Sequence, residues 1–352
     1  MTMLRDALVR QLRQLWTFNS SERPWEMPLA AAVACGLPVI IGAWHGQMAA
    51  GLAGSLGGLV FLYLPSTHLS DRIATLMACA FGLVASFALG ILSSVYEPLT
   101  IPVLAVVAAA VTMICRFYAV GPPGSLFFVM TAAIGAYSPA RGAAAAAQVG
   151  FIAMGCTLAI LIAFFYSLHA LSRRSGASDS RGSFDFGFVV AESVLIGAAV
   201  GVSLAIAQLL QLQRPYWVPV SCLAVIQTAS LREAWLKQLH RVTGTVLGLL
   251  LFMLFAMMPL SAMGVALLLT ALTFVIETLI VRNYALAVVF ITPLTILLAE
   301  AADLGAGPPR GVMVARLVDT LIGCLVGLAA AACLHSPRIR DGVARRLRRM
   351  LP

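Results

Sequence analysis

Apolar runs follow one another along the chain, separated by short clusters of charged residues, proline and glycine. Because a helix needs about 20 mainly apolar residues to cross a bilayer, we divide the sequence into runs of about that size. The fifth, eighth and eleventh runs are short for a full crossing. The pattern predicts an all-α polytopic membrane protein with about twelve transmembrane helices, over 27–44, 46–64, 73–95, 99–115, 124–138, 145–171, 187–210, 216–229, 242–259, 261–281, 285–300 and 316–334.

The composition excludes several classes of function. Apolar residues make up 61% of the chain and charged residues 11%, against roughly 45–50% and 25% in soluble domains. No long polar segment is left that could form a separate soluble domain. The chain also lacks a phosphate-binding Walker loop, and its His and Cys residues have no metal-ligand spacing. We therefore expect no enzyme activity, no ATP hydrolysis, no cofactor and no metal.

The basic residues fall mostly on one side of the predicted membrane. With twelve crossings both termini share a side, and of the 23 Lys and Arg residues only Arg141, Arg214, Arg310 and Arg316 fall on the other. Short cytoplasmic loops are enriched in Lys and Arg. We therefore expect a multi-pass protein of the bacterial inner membrane with cytoplasmic termini. The net charge of +9 then reflects orientation and contact with lipid head groups, and we expect no nucleic-acid partner.

The chain also has features of an internal duplication. The stretch Arg116-Phe-Tyr118 is matched by Arg282-Asn-Tyr284, and Glu26 is matched at the same offset by Glu192. Since each half contains six spans, the halves would insert in the same orientation as two parallel six-helix repeats. The predicted segments are an amphipathic cytoplasmic N-terminus (1–26), the first repeat (27–171), a cytoplasmic linker (172–186), the second repeat (187–334) and a basic cytoplasmic tail (335–352).

The stretch that begins RPYWVPVSCLAVIQ at Arg214 and continues to RVTGTVLG resembles the fusaric acid resistance protein family, also called the aromatic acid exporter family. The family pattern is an aromatic-proline start of a helix, a Gln-containing end, a polar loop and an Arg-x-x-Gly-Thr-x-x-Gly helix. The first half lacks the aromatic-proline element, and the chain lacks the large cytoplasmic region of many members. The matching positions are Pro215, Tyr216, Trp217, Pro219, Gln227, Arg241, Gly244, Thr245 and Gly248.

The resemblance implies a compact exporter of small, aromatic carboxylic acids or related toxic compounds, and we expect the proton gradient to drive it. Its expected partners are the lipid bilayer, a small organic anion, a periplasmic adaptor protein that contacts the region of Glu300 to Arg310, and further copies of the chain. Two alternatives stay open. One is a passive organic-anion channel similar to the aluminium-activated malate transporters, and the other is a non-transporting envelope assembly protein.

Three acidic residues within predicted helices are candidates for proton coupling: Glu277, Glu192 and Asp319. A charge inside a spanning helix costs about 2.5–3.5 kcal/mol on insertion scales, and burial favours the neutral form of a carboxyl group. Glu277 is the deepest of the three in the predicted topology. The alternatives are that Glu277 pairs with Arg282, and that Asp319 pairs with Arg316 on the same helix face.

Residues at matching positions of the two halves are candidates for substrate binding. Arg116 and Arg282 could bind a carboxylate through their planar guanidinium groups, while Tyr118 and Tyr284 could stack on an aromatic ring; the alternative is that all four are ordinary anchors at the membrane interface. The short fifth and eleventh helices are the predicted scaffold, because interrupted helices at corresponding positions mark transport sites. They offer Thr131, Thr292 and Thr295, and Pro293 frees a backbone carbonyl one turn earlier; a simple packing kink is the alternative.

Overall fold

The computed structural model describes residues 18–20, 23–171, 186–300 and 309–336. Residues 172–185 of the predicted linker and all of the basic tail after Ser336 lie outside the described residues. So do most of the N-terminal segment and most of the loop proposed to contact an adaptor.

Within the described residues the chain folds into helices and contains no strand. Each of the twelve predicted spans overlaps one helix, in the same order, so the prediction of an all-α polytopic membrane protein is confirmed. The helices are α1 (Glu26–Trp44), α2 (Met48–Gly58), α3 (Leu69–Ser93), α4 (Thr100–Phe117), α5 (Leu126–Ala136), α6 (Ala143–Leu171), α7 (Phe186–Leu209), α8 (Trp217–Ile226), α9 (Leu231–Ala256), α10 (Ala262–Leu279), α11 (Tyr284–Glu300) and α12 (Pro309–Leu334).

Eight helices in the described part of the chain are long and apolar enough to cross a membrane. The other four are α2, α5, α8 and α11, which take the second and fifth positions of each half. An α-helix of 11 residues is about 16 Å long, roughly half of the hydrocarbon thickness. The predicted shortness of α5, α8 and α11 is confirmed. The shortness of α2, which ends in a 3₁₀ turn at Leu59–Tyr63, was not predicted.

Two of the long helices begin earlier than the hydropathy pattern predicts. α9 starts at Leu231 and α12 at Pro309, against predicted starts of 242 and 316. The start of α9 is stabilised by a capping box, since Ser230 Oγ accepts a hydrogen bond from Glu233 N at 3.2 Å and Glu233 Oε2 accepts one from Ala229 N at 3.1 Å. Polar first turns of this kind are helical but do not raise the hydropathy, so the apolar window misses them.

Equivalent helices of the two halves pack in equivalent ways. In the first half α3 packs on α5 and α2 on α6; in the second half α9 packs on α11 and α8 on α12. Between the halves, α1 packs on α10 and α4 on α7. If each helix is replaced by its equivalent in the other half, six places away in the chain, each of these contacts becomes another contact of the same set. The arrangement is the one that a duplication requires, while the duplication itself stays a prediction.

Small residues bring the packed helices into backbone contact. A Cβ on Gly197 would lie 2.6 Å from the Ala105 carbonyl oxygen across the α4–α7 interface, and one on Gly323 would lie 2.5 Å from the carbonyl oxygen of Val218 on α8. These glycines of α7 and α12 therefore allow close helix approach, as small residues do in membranes. The long helices of the two halves are in this way packed directly against each other.

Candidate functional site: a basic cavity between the two halves

A cavity of about 1030 Å³ lies between the two halves. Its wall includes residues from all four short helices, α2, α5, α8 and α11, and from the helices around them. Because short helices leave the membrane interior partly unfilled, their positions explain why the cavity lies there. The wall therefore contains the two predicted scaffold helices, α5 and α11, and in addition α2 and α8.

The cavity extends along the whole length of two short helices. Its lining runs from Pro122, before α5, to Pro139, after it, and from Trp217 at the start of α8 to Gln227 at its end. All ten residues of α8 are buried, as expected for a helix that is apolar all round and enclosed by protein. The cavity therefore reaches both ends of these helices.

Basic side chains dominate the charged part of the wall. Among the described residues the lining contains one acidic residue, Glu277. Positive charge confined in an apolar cavity attracts anions more strongly than the same charge in water. The basic lining residues are Arg23, Arg116, Arg214, Lys237, Arg241 and Arg316.

Two ion pairs join the halves at their predicted cytoplasmic ends. Arg116 Nη2 on α4 donates to Glu192 Oε1 on α7 at 2.6 Å, and Arg23 Nη1, just before α1, donates to Glu277 Oε2 on α10 at 3.3 Å. The α4–α7 and α1–α10 interfaces are equivalent under the exchange of halves. The two pairs use different positions of these interfaces, and the arginine belongs to α4 in one pair, whereas the glutamate belongs to α10 in the other.

Arg241 is a buried cation that contacts neutral groups. Its Nη2 donates to Ser221 Oγ at 3.2 Å and its Nη1 to Tyr284 Oη at 3.4 Å. Its Nε has no hydrogen-bond partner in the described structure. The polar early turns of α9 place this side chain against α8 and the start of α11.

Arg316 is a second buried cation, on α12. Its guanidinium carbon lies 4.1 Å from the centre of the Trp217 ring, in a cation–π contact. Its Nε and Nη1, and both carboxyl oxygens of Asp319, have no hydrogen-bond partner among the described residues. The expected pairing of Arg316 with Asp319 is therefore absent at hydrogen-bond distance. The side chain of Asp319 is inaccessible to solvent.

A polar network closes another part of the wall. Gln227 at the end of α8 donates from Nε2 to Ser125 Oγ, in the loop before α5. Ser125 Oγ in turn lies 2.8 Å from Thr112 Oγ1 on α4. This network connects α8 of the second half with α4 and α5 of the first.

The predicted substrate-binding residues divide into three groups. Arg116, Tyr284 and Thr295 line the cavity. Tyr118 and Arg282 are exposed and lie outside the described lining. Thr131 and Thr292 are buried, and their hydroxyls donate to carbonyl groups within their own helices.

The predicted proton-coupling residues are all buried but lie in different surroundings. Glu277 lines the cavity and pairs with Arg23, whereas pairing with Arg282 was the alternative. Glu192 pairs with Arg116, and Asp319 lies beyond the cavity wall. Neither belongs to the described lining.

The residues of the family pattern lie in two places. Tyr216, Trp217, Gln227 and Arg241 line the cavity. The others serve packing: Gly244 and Gly248 contact α11, and the buried residues Pro215, Pro219 and Thr245 complete the set. The aromatic start of α8 and the arginine of α9 are therefore brought to one site by the fold.

Sequence reasoning missed several cations of the wall. Arg23, Arg214 and Lys237 were counted only among the basic residues that indicate orientation, and Arg241 was noted as a position of the family pattern without a role in the cavity. The capping box before α9 is a signal that could have placed Arg241 three turns inside a helix. Arg316 was recognised as an intramembrane charge, but as half of an ion pair.

Comparison with known proteins finds a related family. Residues 198–330 match the fusaric acid resistance protein-like family. The matched region contains α8, α9, α10 and α11, the second half of α7 and most of α12, and the resemblance inferred from the sequence is thereby confirmed. The fusaric acid resistance-like region contributes Trp217, Arg241 and Arg316 to the cavity wall.

A curated relative is an uncharacterized membrane protein of Bacillus subtilis (strain 168), YvaC. It is 28% identical over 152 residues, which are 43% of this chain and 24% of the relative. The match therefore spans about a quarter of that protein's length. No solved structure matches the chain.

Proposed function

We propose that this chain is an inner-membrane exporter of small organic anions, of the kind formed by aromatic carboxylic acids, and that they pass through the central cavity. The observation that carries the proposal is the charge of the wall, with six basic residues and one acidic residue among its described members. The similarity to a transporter-like family supports transport over catalysis.

The shape of the cavity supports a path for a molecule with an apolar body. Between the cations the wall is formed by apolar side chains of the short helices, among them Val220, Ala224, Ile291 and Leu294. A site of apolar walls with a few polar groups is typical of small-molecule binding. The carboxylate would move between cations while the body of the molecule contacts the apolar wall.

The membrane potential favours the outward direction for an anion. Moving one charge across 100 mV changes the free energy by about 2.3 kcal/mol, and the cytoplasm is the negative side. Export of an anion is therefore assisted even before any proton is exchanged.

Glu277 is the proposed site of proton coupling. Its ion pair with Arg23 favours the ionised carboxylate, whereas burial favours the neutral form, at the predicted cytoplasmic end of the cavity. For exchange of a proton against an exported anion, the proton and the anion have to occupy the site alternately. Glu277 would bind a proton from the outer side after the anion has left, and would release it to the cytoplasm before the next anion binds.

Proteoliposomes loaded with benzoate test the proposal. Wild-type protein should accelerate benzoate efflux, and an imposed pH gradient should accelerate it further. The Glu277→Gln variant should lose the pH-driven component, because its amide cannot exchange a proton. Glu97→Gln, at an exposed position outside the lining, is the matched control. Equal pH-driven rates in wild type and Glu277→Gln would contradict the coupling role.

A passive anion channel is the second candidate, and the length of the basic cavity favours it. A channel would conduct benzoate in planar bilayers without a pH gradient and at rates far above those of a carrier. Current recordings on the purified protein distinguish the two, because a carrier gives no resolved single-channel currents.

A further inference from the structure

Five charged residues of the described structure are buried: Glu192, Arg241, Glu277, Arg316 and Asp319. Glu192 and Glu277 are neutralised by Arg116 and Arg23. What is left is a cluster of two arginines and one aspartate, with a net charge of +1. Buried charges are stable when they are paired, so this cluster lacks one negative charge.

The two arginines of the cluster belong to the same region of the wall. Both line the cavity, and their charges lie within electrostatic range of each other. The exposed fraction is 7% for Arg241 and 5% for Arg316. Since two neighbouring cations repel, their close burial is stabilised by an anion between or beside them.

The remaining contacts of the cluster leave donors free. Arg241 donates to two neutral hydroxyls, and Arg316 lies over the ring of Trp217. Arg241 Nε, Arg316 Nε and Arg316 Nη1 have no partner in the described part of the chain. Guanidinium groups with free N–H donors bind carboxylates in planar, hydrogen-bonded pairs.

Asp319 limits the charge that the cluster accepts. It lies one turn after Arg316 on α12, and its charge is within range of Arg316 and of the half-buried Arg214. With Asp319 ionised, one added negative charge neutralises the buried cluster. A second added negative charge would have no buried cation with which to pair.

We infer that Arg241 and Arg316, beside Trp217, form the binding site for the carboxylate of a monocarboxylate with an apolar body, and that Asp319 sets the preference for a single negative charge. The inference rests on the proposed transport function for its biological role. It assigns the substrate group to α8, α9 and α12 of the second half.

Direct binding of radiolabelled benzoate to purified protein in lipid nanodiscs tests the location of the site. Arg316→Gln and Arg241→Gln should each weaken benzoate binding by about tenfold or more, since each removes a charge-assisted hydrogen bond. Arg232→Gln is the matched control, because Arg232 is exposed at the start of α9 and lies outside the described lining. Arg316→Lys retains the charge and should bind more tightly than Arg316→Gln, which excludes misfolding as the cause.

Competition with other ligands tests the charge preference. Benzamide, which is neutral, should not displace benzoate, and phthalate, which is a dianion, should displace it poorly. Asp319→Asn keeps the side-chain shape but removes one negative charge, and should raise the affinity for phthalate relative to benzoate by about tenfold. An unchanged phthalate-to-benzoate ratio in Asp319→Asn would overturn the role of Asp319.

The outcomes separate this site from the proposed function. Benzoate binding that is lost in the arginine variants supports the site even if proteoliposomes show no transport, in which case the exporter proposal fails alone. Benzoate transport by wild type with undiminished binding in Arg241→Gln and Arg316→Gln overturns the site and leaves the exporter proposal standing. Absence of benzoate binding to the wild type also overturns the site.

Discussion

Arg116 Nη2 lies 2.6 Å from Glu192 Oε1, and this ion pair connects the first half of the protein to the second. The carboxylate is the more deeply buried partner, with 9% of its side chain exposed against 41% for the arginine. The equivalent interface, between α1 and α10, has its own pair, Arg23 and Glu277. Each of the two interfaces between the halves thus contains one ion pair, at positions that do not correspond in the two halves.

Reversal of one charge of the Arg116–Glu192 pair should destabilise the protein more than reversal of both charges. Arg116→Glu or Glu192→Arg alone places two like charges together and should lower the melting temperature. The double reversal should restore most of the loss, with a coupling of about 0.5–3 kcal/mol. Thermal unfolding of the four proteins in detergent measures this, and additive effects of the two changes would contradict a direct pairing.

Backbone contact between α2 and α6 should make Gly155 intolerant of a side chain. A Cβ at this position would overlap the carbonyl of Gly54, which is backbone and cannot rotate away. Gly155→Ala should therefore destabilise the protein by about 1–3 kcal/mol. Gly150→Ala, on the same helix, meets nothing within 4 Å and should be neutral or slightly stabilising. Equal melting temperatures for the two variants would argue against the close contact.

The ring of Trp217 should stabilise Arg316 in its buried position. Trp217→Phe keeps an aromatic face, whereas Trp217→Leu removes it, so the leucine variant should lose more stability. The cation–π part is expected to be about 0.5–2 kcal/mol. A double-mutant cycle with Arg316→Met isolates it from the packing of the indole. If each Trp217 substitution lowers the stability by the same amount in the Arg316 protein and in Arg316→Met, the contact has no energetic role.

The close packing between halves predicts that they do not separate during transport. A Cβ on Gly201 would lie 3.0 Å from the Cβ of Ala105, so cysteines at these two positions should form a disulfide across the α4–α7 interface. A Cys333→Ser background removes the exposed native thiol; the other six cysteines are buried. Cross-linked protein should retain benzoate efflux in proteoliposomes, and reduction should not increase the rate. Loss of efflux that dithiothreitol restores would show that this interface opens.

Apolar run length predicted the fold well because a bilayer imposes one length on every full crossing. It therefore located all twelve helices and the shortness of α5, α8 and α11. It failed at α2, where the run 46–64 is long enough to cross. There, glycines that contact α1 and α6 and the 3₁₀ turn at Leu59–Tyr63 shorten the α-helix, and these features depend on neighbouring helices.

The candidate site was less predictable because its charges come from residues far apart in the chain. Arg241 and Arg316 are 75 positions apart, and hydropathy placed both at helix ends, where cations are ordinary anchors. The ion pair between Arg23 and Glu277 spans 254 positions. Glu277 itself could be singled out, since an acidic residue in an apolar run is costly wherever its partner is. The choice of partner required the packing of α1 on α10.

The enclosed helix α8 has a consequence for how the protein is assembled in the membrane. A segment of ten residues is too short to be released into lipid as an independent span, because about 20 residues are required. It therefore needs protein around it from the moment it leaves the insertion machinery, and α12, its principal neighbour, is synthesised only after α9, α10 and α11. Until α12 arrives, α8 has to be sheltered by α7 and α9 or by a chaperone of the membrane. α12 thus both contributes to the cavity wall and completes the insertion of a segment that was made well before it.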